Sequence, residues 1–396
     1  MVIRKVVLLL ACLSVISPCA LGAPAPTWSA AFRYRLEQVD QTGFDHEALA
    51  ATARLRVGTV VPLGSSWRAF AEGEAIWAMT DTFNSGANGR TAYPAVADAS
   101  ALEVNQAGIA WRAKTLETIV GRQRIVFDNQ RFIGNVGWRQ NEQTFDAALV
   151  AITPSDRWML HYGWLDRVHR VAGDRARDPL AQERDLDAHL VHATRASGIG
   201  PIAFYFYGLE DQDVASASTH TWGVRWTPSG TRDAWHWSAA LEAAQQHDAG
   251  DNPARFSHGY QLLEGSTGRG TWNARVGWER LAGNGTHALQ TPLATLHAFN
   301  GWADVFVITP PAGLGDRYVS VTGAWSHRTS VPFDWALAWH KYDPTQAGEC
   351  YGREWNASLG RKFAHGWSAL FKVADYQKAS FGRDTRKVWL QVEWSR

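Results

Sequence analysis

The chain has 396 residues, of which 45% are hydrophobic and 19% charged, with a formal net charge of +1. That balance excludes a disordered chain and gives no reason to expect nucleic acid as a partner. Beyond residue 23 the longest apolar runs are about the length of Ala147 to Ile152, far short of the roughly 20 residues a membrane helix needs, so a helical membrane protein is excluded too.

The first element is a leader. Arg4 and Lys5 precede an apolar run from Val6 to Ile16, and small residues follow at Ala20, Gly22 and Ala23. This is the layout of a secretory signal peptide, with cleavage expected after Gly22 and a mature chain of residues 23–396 forming one domain. Cys12 and Cys19 fall in that leader, which leaves Cys350 as the one mature cysteine. Neither an intrachain disulfide nor a cysteine metal cluster can hold such a fold.

From there the dominant pattern has period two, which sends alternate side chains to opposite faces of a strand. Phe32, Tyr34 and Leu36 alternate with Arg33, Arg35 and Glu37, and Ala53, Leu55 and Val57 with Thr52, Arg54 and Arg56. Later come Trp222, Val224 and Trp226 around Arg225, then Trp235, Trp237, Ala239 and Leu241 against His236, Ser238 and Glu242. Trp272, Ala274, Val276 and Trp278 oppose Asn273, Arg275 and Glu279, and Phe333, Trp335, Leu337 and Trp339 oppose Asp334 and His340. Trp355, Ala357 and Leu359 oppose Glu354, Asn356 and Ser358, while Val388, Leu390, Val392 and Trp394 oppose Trp389, Gln391 and Glu393 in the closing segment.

Apolar stripes with Trp near both ends fit a lipid-facing surface between two aromatic girdles. The polar parity, rich in Arg and Glu, needs water, which a barrel lumen supplies. The sequence thus predicts an all-β, antiparallel, up-and-down transmembrane barrel of about 18 strands, with 16 also compatible, in a bacterial outer membrane. Such a barrel pairs every backbone group within the sheet. The competing reading is a soluble Trp-rich carbohydrate-binding protein. Stretches from Asp81 to Ala101, Val171 to Arg184, Ala282 to Asp316 and Asp343 to Glu349 are too long for tight turns and read as extracellular or infolded loops.

Chemistry concentrates between Gly121 and Asp146. Arg122, Arg124, Arg131 and Arg139 punctuate a run that also carries Asp128, Asn129, Asn141 and Glu142. Guanidinium groups suit carboxylates. In the lumen, together with Arg54, Arg56, Arg225 and Arg275, they would draw in anions, with Asp128 and Glu142 holding some of them in place; in an outer loop they would be a structural network. No nucleophile elbow or paired histidine motif points to an enzyme, and no cofactor is expected. His287, His297 and Asp304 invite a metal reading, but their spacing matches no ligand pattern; a loop folded into the lumen and positioned by Phe299 and Trp302 fits better.

Three stretches resemble the alginate export family of outer-membrane barrels: Glu103 to Ala107, Gly121 to Asp146, and His297 to Asp304 with the nearby Gly313 to Asp316. The resemblance implies an 18-stranded monomeric barrel with an electropositive constriction for a polyuronate such as alginate, and a periplasmic scaffold protein as a possible export partner. Uptake of small solutes is the other pore function the sequence leaves open.

Overall fold

The computed structural model describes residues 25–325 and 331–396, so the leader expected at 1–22 lies outside the described residues. Alternation of apolar and polar residues produces long strands, and these pair with their sequence neighbours. In order they are β1 (Thr27–Gln41), β2 (Ala48–Leu63), β3 (Trp67–Ala78), β4 (Ala101–Arg112), β5 (Leu116–Gln123) and β6 (Thr144–Ser155). Next come β7 (Trp158–His169), β8 (Glu183–Arg195), β9 (Ile202–Asp211) and β10 (Thr219–Trp226). β10 breaks at Thr227-Pro228, where proline cannot donate to the ladder, and resumes at Ser229–Arg232 along the same neighbour. The remaining strands are β11 (Trp235–Asp248), β12 (Ser257–Arg269), β13 (Trp272–Leu281), β14 (Leu314–Trp325), β15 (Phe333–Asp343), β16 (Gly352–Lys362), β17 (Trp367–Lys378) and β18 (Thr385–Ser395).

β1 pairs antiparallel with both β2 and β18, from Ala31↔Ser395 to Gln41↔Thr385 on the β18 side. The sheet is therefore a closed 18-stranded barrel without a free edge. Connections at one end are short, as at 64–66, 156–157 and 270–271. At the other end they are long, at 79–100, 124–143, 170–182 and 282–313. That asymmetry is the one outer-membrane barrels show between periplasmic turns and extracellular loops.

The register separates the two faces. Leu337, Leu359, Leu263, Val276, Leu390 and Phe371 lie on the exposed outer face, bounded by Trp28, Trp67, Trp235, Trp272, Trp325 and Trp367 at the short-turn end and by Trp77, Trp164, Trp222 and Trp355 toward the long loops. The inner face is not empty. The long loops fold inward and bury Ile125, Phe127, Phe132 and Ile133 of one loop, and Leu289, Leu293 and Phe306 of another, against Phe145, Leu165, Leu190, Tyr205, Tyr207, Tyr260 and Tyr342 of the wall.

Candidate functional site

Cross-strand pairing fixes where the strand arginines point. Arg33 lies opposite Arg54 on β2 and Glu393 on β18, and Arg35 opposite Thr52 and Gln391. This stripe of the inner wall meets the 124–143 loop. Arg33 donates to the carbonyls of Gly137, Trp138 and Arg139, each at 3.2 Å, and Arg35 Nη2 donates to Trp138 O at 2.6 Å. Arg54 and Arg56 both reach Gln140 O. Gln140 in turn donates to Thr52, and its backbone N–H donates to Asp98 of the 79–100 loop. The loop therefore lies inside the barrel, pinned by its own backbone carbonyls.

A second infolded loop meets the first. Gly134 N donates to Leu293 O at 2.9 Å, Thr295 N to Gln130 O at 3.0 Å, and Val136 N to Thr295 Oγ1 at 3.0 Å. Several residues here have left-handed backbone: Asp128, Gln130, Val136, Asn300 and Asp304, with φ between 47° and 68°. For β-branched Val136 at φ 53° this is a strained conformation, of the kind that persists only where surrounding contacts over-determine it. Gly301, at φ 82°, must be glycine for a second reason: a Cβ there would fall 2.3 Å from Glu354 Oε2.

The guanidinium groups are almost all paired. Arg131 is buried, donates to Glu279 at 2.8 Å and to Asn300 Oδ1 at 3.0 Å, and stacks on Phe299 at 4.7 Å. Arg139 bridges Glu37 at 3.3 Å and Asp304 at 3.0 Å. Arg124 binds Glu72 and Glu142, and Glu142 also meets Arg56 at 3.4 Å. Although burial opposes its charge, Glu142 is held below the usual carboxylate range by Arg56 and Arg124. On the far wall Arg225 pairs with Glu242, and Arg275 lies 3.6 Å from Glu264. Arg33 and Arg54 instead share a single carboxylate, Glu393, at 3.1 and 3.3 Å.

Two expectations change. Arg122 does not line the lumen: its neighbour Gln123 and the opposing Phe145 face inward, so Arg122 and its partner Asp146, at 2.8 Å, face outward on the adjacent parity. There they join His169, Arg167, Glu183 and Asp185 at the long-loop end. Among the described residues Asp128 holds no arginine; it accepts from His192 at 2.9 Å. Asn129 caps its own turn through the Arg131 N–H, and Asn141 binds Glu103 at 3.1 Å.

His297 and Asp304 do meet, Nδ1 to Oδ1 at 2.7 Å, but His287 is elsewhere, bonded to Thr286. No metal-holding cluster occurs among the described residues. His297 Nε2 instead faces Lys372 Nζ at 2.7 Å, and Asp304 also accepts from Lys387 at 2.8 Å. Burial pushes the His297 imidazole down to about 3. A neutral ring that donates from Nδ1 to Asp304 and accepts at Nε2 from the lysine satisfies both partners. Burial would raise the Asp304 carboxyl, but His297, Lys387 and Arg139 hold it well below its usual range. Trp302 N and Ala303 N both donate to Glu354 Oε1. The 297–304 segment is thus a clasp onto β13 through β18. Parity places its wall partners Glu279 and Glu354 on the polar face from sequence, whereas Lys372 and Lys387 are not singled out there, their only signal being the inward parity of their strands.

Solved structures of low sequence identity share this architecture. They include Acinetobacter baumannii OccAB4 (TM-score 0.72, 12% identity, covering 95% of this chain and 99% of that one). Pseudomonas aeruginosa OccK9 (OpdG) gives TM-score 0.73 at 12% identity, covering 93% and 98%, and OpdK of the same organism gives 0.70 at 14%, covering 94% and 98%. No curated protein sequence matches the chain. The family model described as alginate export matches residues 28–289, more than half of the length, and this outer-membrane barrel belongs to the alginate export family.

Proposed function

We propose that this outer-membrane pore passively conducts an anionic hydrophilic solute, with a polyuronate such as alginate as its cargo, and that it is a channel and not an enzyme. The observation that carries the reading is the inner-wall stripe of Arg33, Arg35, Arg54 and Arg56, in which Arg33 and Arg54 face each other across β1 and β2 and share the one carboxylate of Glu393, while Arg35 has Asp98 and Arg56 has Glu74. Fixed positive charge on a low-dielectric wall concentrates anions and rejects cations. Removal of residues 1–22, a monomeric barrel over 23–396 and a periplasmic scaffold partner belong to the same proposal.

A second reading, uptake of a small carboxylate, is favoured by the apolar packing of infolded loops in the lumen, which narrows the space left for a polymer. OpdK has been solved with vanillate, a small aromatic carboxylate, in a structure of TM-score 0.70 to this chain. Reversal potentials in planar bilayers test the common core of both readings. Anion preference that falls on Arg33→Gln and Arg54→Gln is expected, and cation preference that survives Arg124→Ala and Arg131→Ala sinks the proposal. Block by uronate oligomers but not by vanillate favours the first reading, and the reverse favours the second.

A further inference from the structure

Lys372 differs from the other cations of the inner wall. It is buried at 7% exposure, yet no carboxylate oxygen lies within 4.0 Å of it among the described residues. Its ammonium sits over the rings of Trp302 at 3.8 Å, Trp138 at 4.1 Å and Trp389 at 5.4 Å, and its one acceptor among the described residues is His297 Nε2. Indole faces supply part of what a carboxylate would, but an ammonium carries three donors and His297 takes only one of them.

The groups beside it are also unsatisfied. Trp389 lies directly across the ladder from Lys372, and its ring packs edge-on to Trp138 at 5.8 Å. The indole N–H of each is buried without an acceptor among the described residues. Asn356, on the strand next to Lys372 and 1% exposed, has neither amide atom bonded among the described residues. Buried donors without acceptors are rare in folded proteins, because each forfeits its hydration without replacement. A buried ammonium with no carboxylate beside it and donors to spare has an oxyanion as its natural complement.

We propose that Lys372, caged by the faces of Trp138, Trp302 and Trp389, forms a lumenal subsite for a solute carboxylate, which His297 of the 297–304 clasp covers in this conformation. The inference rests on the anionic-solute reading and adds a specificity-determining residue to it. Arg139 and Lys387 are committed to Asp304, and Arg131 to Glu279, so a carboxylate that displaces the neutral His297 ring gains a charged partner without breaking an existing ion pair. Trp138 and Trp302 are only partly buried, which gives the solute a route to the ammonium.

The test is single-channel block by sodium glucuronate in planar bilayers, with full-length variants whose folding is checked by heat-modifiable gel mobility. Lys372→Met keeps the apolar stem in its cage and should weaken block about tenfold or more, the loss expected for one charge-assisted contact. Lys372→Arg should keep most of the block, and His297→Ala should strengthen it. Lys372→Gln serves the same comparison if the methionine variant does not insert. Block that is unchanged in Lys372→Met or Gln, or lost equally in Lys372→Arg, overturns the subsite and leaves Lys372 a packing residue. Unchanged or weaker block in His297→Ala overturns the capping role. A wild-type pore that prefers anions but is not blocked by glucuronate overturns the subsite alone, whereas a wild-type pore without anion preference overturns the underlying reading as well.

Discussion

Two sets of tryptophans divide this molecule. Those of the outer face, such as Trp28, Trp67, Trp272, Trp325 and Trp355, are half exposed and sit near strand ends. Trp138, Trp302 and Trp389 lie inside, stacked around one lysine and one histidine. On the outside the ring is anchored by the interface between hydrocarbon and water, which makes position along the strand decisive and any single residue replaceable. On the inside the ring is a ligand for a particular cation, so contacts decide and replacement is not free. The same contrast holds for charge, since most inner-wall ions have named partners, Arg131 with Glu279 and Arg225 with Glu242 among them, while the apolar band of the outer face is built of residues such as Leu263, Val276 and Leu337.

The largest effect expected from breaking the inner arrangement is at Arg131. Its guanidinium joins the 124–143 loop to Glu279 on the wall and to Asn300 on the second loop. Arg131→Ala leaves Glu279 buried without its cation, a loss of about 3–5 kcal/mol for a buried pair. Because both loops lose their shared partner, conductance should rise several-fold with increased current noise, while the barrel still inserts. An unchanged conductance would mean that apolar packing alone holds the loops.

On the outer face the matching test is Leu337→Arg, at the middle of β15 on an exposed apolar stripe. A lipid-facing arginine near the midplane costs about 2–4 kcal/mol. Equilibrium folding into lipid vesicles should show that loss. Ser358→Arg, on the opposite parity of β16 and opposite Lys372, should instead fold normally and shift ion selectivity.

These pairs also mark what the sequence could tell. The outer face was legible because lipid imposes one rule on every strand, so Trp272 or Leu337 declares its side by parity alone. The same parity placed Arg33, Arg54, Arg225 and Arg275 on the inner wall. Reading the Gly121 to Asp146 segment as a whole puts Arg122 in the lumen, although it belongs to the end of β5 and shares the outward parity of Val120. Parity could not match partners. Arg131 meets Glu279 across 148 positions and Arg139 meets Glu37 across 102, pairings that exist only once two loops have folded into the lumen. Lys372 was invisible as a site because its environment comes from three elements far apart in the chain.

Acid should loosen the clasp before it affects the barrel. The folded value for His297, about 3, lies below the ordinary value of about 6.5, so between them the released segment binds a proton that the docked one does not. Docking is fully stabilised above about 6.5 and loses stability as pH falls through that window. Asp304, held below its usual range, adds a loss of the same sign at lower pH. The groups facing His297 and Asp304 are Lys372, Lys387 and Arg139, all cations, so a protonated imidazole gains only Asp304 and meets repulsion from the rest. Larger, noisier channels below pH 6 are expected, with the transition abolished by His297→Gln. A pH-independent conductance in the wild type would show that the clasp does not depend on a neutral ring.

The smallest effect separates the two tryptophan sets directly. Trp355→Phe on the outer face keeps an aromatic ring at the interface and should change folding free energy by less than about 1 kcal/mol, with selectivity unaltered. Trp138→Phe changes as little in volume, but removes the larger indole face beneath Lys372 and above His297, which stacks on it at 4.6 Å. A cation–π contact is worth about 0.5–2 kcal/mol and indole is the strongest ring partner, so a loss of a fraction of that should come with a measurable change in anion preference. If both variants move stability alone, the inner tryptophans are only packing, and the distinction between the two faces reduces to burial.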